Sequence, residues 1–245
     1  MCTAVATRLG HPAERLYSFQ IACLLHDLGR AGLDRKLFGA IWSWVKKQGI
    51  PTRPREWRAI HPETTYGRET EAFLTLHRHE LEAAGIVMDR WAIEQVEMRL
   101  GYARRLARRL RVLKPAIENM GIRWLPWMQR VILYYYYPER LTRAKPWVKQ
   151  LAEILVACEQ FEAYSNRQRG RDYYVRKHET LPSAFAYLDK LAQDGIVSSE
   201  VMVALRALAA EGAFDTMLEQ AKRRLLARSE RRFLRGLALG DSQWR

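Results

Sequence analysis

The sequence predicts an all-α chain, and three observations carry that prediction. Leu, Ala, Arg and Glu dominate, while 14 Gly and 9 Pro are sparse for 245 residues, a balance that favours helices. Apolar residues recur at three- and four-residue spacing along most of the chain. No stretch shows the apolar–polar alternation of a half-buried strand, and no internal repeat is present. With 48% apolar residues and eight Trp, the chain has the material for a sizeable core.

The elements follow in order. Cys2 to Leu9 reads as a helix stopped by Gly10. Pro12 opens a second helix through Phe19, Cys23 and Leu24 to His26-Asp27-Leu28, broken by Gly29 and Gly32. Lys36 to Lys47 is a short helix with Phe38, Ile41, Trp42 and Val45 on one face. Gly49 to Pro54 is a loop. Glu56 to Leu76 is helical with an interruption at His61-Pro62. Leu81 to Leu113 forms one or two long amphipathic helices carrying a basic run from Arg104 to Arg111. Pro115, Gly121 and Pro126 then interrupt the helical pattern. Val131 to Tyr137 is an apolar and aromatic helix ended by Pro138, and Lys149 to Ser165 is a strongly apolar helix. Asn166 to Lys177 is a basic loop. Helices then run over Leu181–Gln193, Ser199–Ala210 and the Arg-rich stretch Phe214–Leu239.

The formal net charge of +14 attracts anions: nucleic acid, an acidic membrane surface, phosphorylated ligands or an acidic partner. It does not choose among them. Cys2, Cys23 and Cys158 are too few and too scattered for a disulfide framework or a zinc knuckle. Cys23 and Cys158 read as core residues, which fits a reducing cytoplasm. No apolar run approaches the length of a transmembrane helix, and the N-terminus lacks a signal-peptide core.

The stretch that carries chemistry is Ala22-Cys-Leu-Leu-His26-Asp27-Leu-Gly29-Arg30-Ala-Gly32-Leu33. Imidazole and carboxylate are both good ligands for a first-row divalent metal. The glycines let the backbone turn close to an anionic substrate. A bare His-Asp pair equally suits a helix end, so the dipeptide alone does not decide.

Its context does more. The segment resembles the HD-GYP signature, in which a hydrophobic helix runs into His-Asp-Ile-Gly-Lys-Ile-Gly, with Arg30 at the Lys position. Glu56-Trp57 followed by His61-Pro62-Glu63 is similar to that family's Glu-Trp and His-Pro-Glu segment. The helix Ile154-Leu-Val-Ala-Cys-Glu159-Gln-Phe161-Glu162-Ala163 is similar to its Ala-Asp-Val-Phe-Asp-Ala helix, with Glu159 in place of Asp. Arg171-Asp-Tyr-Tyr and the following helix resemble its Arg-Pro-Tyr-Arg region. The shared order covers roughly Ala6 to Leu208.

The resemblance implies an HD-domain helical bundle over residues 1–210, with a basic helical insertion at about 80–130, followed by a basic C-terminal helix over 211–245. It implies metal ligation by His26, Asp27, His61 and Glu159. Catalytic roles fall to Asp27 and to Arg30, which stabilises charge on the phosphoryl oxygens, and phosphate contacts to Arg167, Arg171 and Arg176. The expected activity is metal-dependent hydrolysis of cyclic di-GMP or another nucleotide. The departures point the other way. The family's His-His-Glu aligns best with Tyr136-Tyr137-Pro138-Glu139, so both imidazoles have become Tyr, a poor ligand. A further family His on the first helix counts back to before Met1. The ion expected is Fe, Mn or Zn, reduced to a single ion or lost altogether, and turnover is weak or lost.

The alternative is an inactive scaffold that docks a signalling protein or anionic ligand through the basic helix, tested at Arg105, Arg108 and Arg109. The absence of aromatic platforms beside the Arg run argues against nucleic acid. His77-Arg-His79-Glu80 reads as surface histidines on a polar helix, because the two His point to different sides. Trp42, Trp44, Trp57, Trp91, Trp124 and Trp127 read as core and interdomain packing.

Overall fold

The computed structural model describes residues 1–165 and 180–239. Among them every regular element is helical, as composition and periodicity predict. None of the described helices is long and apolar enough to cross a membrane. The chain forms two compact units, one of residues 1–23 with those from Pro126 onward, the other of residues 24–125.

The first unit is built around one helix. It contains α1 (Cys2–Arg8), α2 (Ala13–Leu24) up to Cys23, α8 (Pro126–Leu133) and α9 (Pro146–Ser165). The remaining helices are α10 (Leu181–Gln193), α11 (Ser199–Glu211), α12 (Asp215–Lys222) and α13 (Arg228–Gly236). Leu151, Ala152, Ile154, Leu155, Val156, Ala157 and Phe161 of α9 are all buried. A helix apolar nearly all round belongs at the centre of a bundle, and α1, α8, α10 and α11 pack against α9. At the start of α10, Thr180 Oγ1 accepts from the Ser183 N–H at 3.2 Å and Ser183 Oγ accepts from the Thr180 N–H at 2.9 Å. This reciprocal cap satisfies two orphan donors of the helix start, where Pro182 has no N–H to satisfy.

Two expectations need correction here. The Arg-rich stretch Phe214–Leu239 is two helices and a final 3₁₀ turn, Leu237–Leu239, rather than one helix. Arg223 adopts a left-handed conformation, φ 51°, which ends α12. Glu230 stabilises the break. Its carboxylate accepts from Arg224 at 2.7 and 2.9 Å and from the Ala227 N–H at 2.8 Å, and pairs with Lys222 at 3.0 Å. The tyrosine run is not helical either. Helix α8 stops at Leu133, and Tyr137 is non-helical, at φ −140° and ψ 63°, before Pro138, because the proline ring disfavours helical geometry in the residue ahead of it.

The second unit contains α3 (Arg35–Lys47), α4 (Pro54–Ile60), α5 (Glu69–Ala83), α6 (Arg90–Glu97) and α7 (Tyr102–Asn119). Helix α3 buries Phe38, Ile41, Trp42 and Val45, the face its spacing predicts. Trp42, Trp57 and Phe73 form the aromatic core, with ring centroids 6.1 and 5.8 Å from Phe73. The long amphipathic stretch expected over Leu81–Leu113 is three pieces. Gly85, at φ 83°, stops α5. Asp89 caps α6 by accepting from the Ala92 N–H at 2.9 Å. Gly101 then precedes α7, at a point where a Cβ would lie 2.7 Å from Thr70 Oγ1. Helix α7 runs through Pro115. Residues 111–116 are all exposed, so the carbonyl that Pro115 leaves without its helical donor faces water.

Candidate functional site

The second expected helix ends at Leu24, one turn before the His-Asp pair. Residues 25–32 form a polar turn with a short 3₁₀ segment, Leu28–Arg30. His26 Nε2 lies 3.6 Å from Asp27 Oδ2, and Arg30 Nη1 donates to Asp27 Oδ1 at 2.9 Å. Both oxygens of one carboxylate therefore face charged or chargeable groups. The Asp27 side chain is 37% exposed and that of His26 23%, while His26 Nε2 itself is buried.

His61 belongs to the same unit. It follows α4, stacks on Trp57 with ring centroids 4.2 Å apart, and lies 3.4 Å from Glu63 through Nδ1. Trp57 is fully buried and donates from Nε1 to Thr64 Oγ1 at 3.1 Å, which pins the loop after His61. Glu159 belongs to the other unit, on α9, and is half-buried. Arg167, Arg171 and Arg176 lie outside the described residues, as does the basic loop that contains them.

The Tyr136 and Tyr137 positions, expected to replace two ligating His, are in the first unit. Tyr137 is completely buried and Tyr136 nearly so. Their neighbours are fixed by polar contacts within that unit: Tyr134 donates to the Ile196 carbonyl at 3.0 Å, and the hydroxyls of Tyr135 and Tyr187 are 3.1 Å apart. The run is core, anchored at its hydroxyl ends.

Two further expectations change. His77 is not a surface residue. It sits among Trp44, Trp57 and Phe73, with centroids 6.1, 6.1 and 5.3 Å away, while His79 is 97% exposed. Trp91, expected in the core, is exposed and donates from Nε1 to Asp34 Oδ2 at 3.3 Å. The cysteines, distant in sequence, converge within the first unit. Cys2 hydrogen-bonds to both Cys23 and Cys158, and these bonds together with burial raise the thiol pKa of each of the latter two. Raised pKa values keep them as thiols, in keeping with core residues.

The largest revision concerns the basic helix. Arg105 is 2% exposed. Its Nε donates to the Gly29 carbonyl at 2.8 Å, its Nη2 to the Ala31 carbonyl at 2.7 Å and its Nη1 to Glu94 Oε2 at 2.9 Å. Arg104 and Arg108 are paired with Glu71 and Glu97. The hydrogen bond from Arg105 and its positive charge hold the Glu94 carboxyl below its usual range. The docking surface expected from Arg105, Arg108 and Arg109 therefore lacks its first member, which faces inward. One signal for this was present in the sequence: Arg105 lies on the same helical stripe as Tyr102, Leu106 and Leu110, and a charge there calls for a buried partner. Compared with family models, curated proteins and solved structures, the chain matches none in any of the three.

Proposed function

We propose that this chain is a divergent metal-dependent phosphohydrolase of the HD-GYP type, tied to cyclic di-GMP signalling, with weak or lost phosphodiesterase activity. The observation that carries the reading is the His26–Asp27 pair, held on one partly exposed turn with Arg30 on the carboxylate. The donor chemistry fits a first-row divalent ion, since an imidazole and a carboxylate stand side by side. When bound, such an ion supplies Lewis acidity towards water and phosphoryl oxygen.

The chain's own residues supply the rest. His26 and Asp27 hold the ion, and His61 enters the ligand set from the sequence resemblance. Arg30 orients Asp27, and its planar fork suits the oxygens of a phosphodiester. Glu159 enters the ligand set from the sequence resemblance. Tyr136 and Tyr137 offer buried phenols in place of two imidazoles, which is why turnover is expected to be weak.

The test is elemental mass spectrometry on the chain purified without chelator or a histidine tag, beside the double variant His26→Ala/Asp27→Ala. Near one equivalent of iron, manganese or zinc, lost in the double variant, supports the reading. Metal content of Glu159→Gln decides the role of that residue separately. Hydrolysis of cyclic di-GMP by the loaded protein then measures how much activity survives. No metal in either protein sinks the proposal.

A further inference from the structure

The turn from Leu25 to Gly32 has eight backbone carbonyls, and each has an identified donor. Four are taken by the turn itself. Leu25 O accepts from the Leu28 N–H at 3.0 Å, Asp27 O from Arg30 at 2.7 Å, Leu28 O from Ala31 at 3.2 Å and Arg30 O from Leu33 at 3.1 Å. The other four are taken by side chains of α6 and α7. Tyr102 donates its hydroxyl to His26 O. Arg105 donates to Gly29 O and Ala31 O, and Gln95 Nε2 to Gly32 O at 3.3 Å. This turn satisfies half of its backbone acceptors, that of buried Gly29 among them, with side chains from a segment far along the chain.

The packing is equally committed. A Cβ on Gly29 would come within 2.5 Å of the Tyr102 ring, so only glycine lets the turn approach α7 this closely. A Cβ on Gly32 would meet Trp91 of α6 at 3.3 Å. Gln95 holds both sides of the turn's exit. Besides its bond to Gly32, its Oε1 accepts from the Asp34 N–H at 3.0 Å, where α3 begins. The charge of Arg105 is balanced by Glu94 at 2.9 Å and Glu97 at 3.9 Å, which removes the penalty of an unpaired buried cation.

We infer that α6 and α7 form a clamp that fixes the conformation of the His26–Asp27 turn, with Arg105 as its central positioning residue. The segment that looks like an insertion is thus the mould of the candidate site. The consequence for metal binding rests on the function proposed above; the clamp itself does not.

The test compares the native chain with Arg105→Lys. Lysine keeps the charge but lacks the fork that reaches Gly29 and Ala31 together. Two readouts are taken. The first is amide hydrogen exchange of the peptide spanning residues 26–33. It is expected to quicken by at least about tenfold in the variant, while peptides from α9 stay unchanged, as expected for loosening confined to one unit. The second is a titration with cobalt(II) followed by its visible absorption. Affinity is expected to fall roughly 10–100-fold, the usual loss when support behind a metal ligand is removed, with a changed band shape reporting altered coordination.

Unchanged exchange in the turn overturns the clamp. If exchange quickens but the cobalt titration and spectrum match the native chain, Arg105 is not a positioning residue for the metal. If the native chain takes up no cobalt, the proposed function fails, and exchange alone still decides the clamp. Should Arg105→Lys fail to fold by far-ultraviolet circular dichroism, Tyr102→Phe takes its place. That variant removes only the bond to His26 O, and its effect on exchange is expected to be smaller and in the same direction.

Discussion

The His26–Gly32 turn and the Tyr134–Tyr137 run are both singled out by the sequence resemblance, and the chain treats them in opposite ways. The first is polar, partly exposed, and held through its backbone by side chains of α6 and α7. The second is aromatic and largely buried, and Tyr134 and Tyr135 are anchored at their hydroxyls. Supporting a turn through its carbonyls leaves its side chains available for chemistry. The comparison teaches that two stretches singled out by one resemblance can differ in kind, one a turn supported from behind and the other core.

The sharpest way to break this comparison is at Tyr137. If the run is core, Tyr137→Ala opens a large cavity. The expected loss is about 3–5 kcal/mol, as for other aromatic truncations in cores, read from the urea midpoint of the first unit. Metal content per folded chain should not change. A small stability loss together with an altered metal content would mean the phenol is closer to a ligand than to packing.

Next in size is Gly29→Ala, which tests the turn. The methyl group would meet the Tyr102 ring, and overpacking of this kind costs about 1–3 kcal/mol. The double variant Gly29→Ala/Tyr102→Leu should recover part of that loss in thermal denaturation. No recovery would mean that the strain lies elsewhere.

How much of this was legible in the sequence depends on the same contrast. Helix existence was readable because the apolar stripes are long: α3, α9 and α10 lie close to where spacing puts them. Helix ends were less so. The residues that end α2 and split the C-terminal stretch do it through partners distant in the chain, Tyr102 for the His26 carbonyl, or through a local carboxylate, Glu230. The His-Asp pair was visible as a motif. Its support was not, because Arg105 reads as one charge in a basic run until its partners at Gly29 and Ala31 are known.

A pH experiment probes the first unit. Burial lowers the His11 pKa from its usual value, so the unfolded chain binds the proton more readily than the folded one. The stability that His11 contributes is complete above an unfolded pKa near 6.5 and falls as pH drops below it. Glu230 acts lower down. Its hydrogen bond from Arg224, helped by the Ala227 N–H and Lys222, depresses its pKa to about 2. Its contribution is present above the ordinary value near 4.5 and is lost as pH falls towards 2. Both groups lie in the first unit, so acid should loosen that unit in two stages. His11→Gln should remove the upper stage and Glu230→Gln should weaken the lower. Stages that survive these changes would assign the loss to other groups.

The smallest effect is expected at the residue of greatest chemical interest. Asp27 pairs with Arg30 on a turn where its side chain is 37% exposed, and exposed pairs of this kind contribute about 0–1 kcal/mol. Asp27→Asn keeps the shape and removes the charge. Thermal denaturation should therefore shift little, because the turn is held by its carbonyls rather than by this carboxylate. Metal uptake, in contrast, should be lost. A large drop in stability would make Asp27 a structural partner of Arg30 and would remove the reason for treating the turn as a site at all. A small drop with lost metal would show that the scaffold and the ligand set are separable, as the contrast with the tyrosine run predicts.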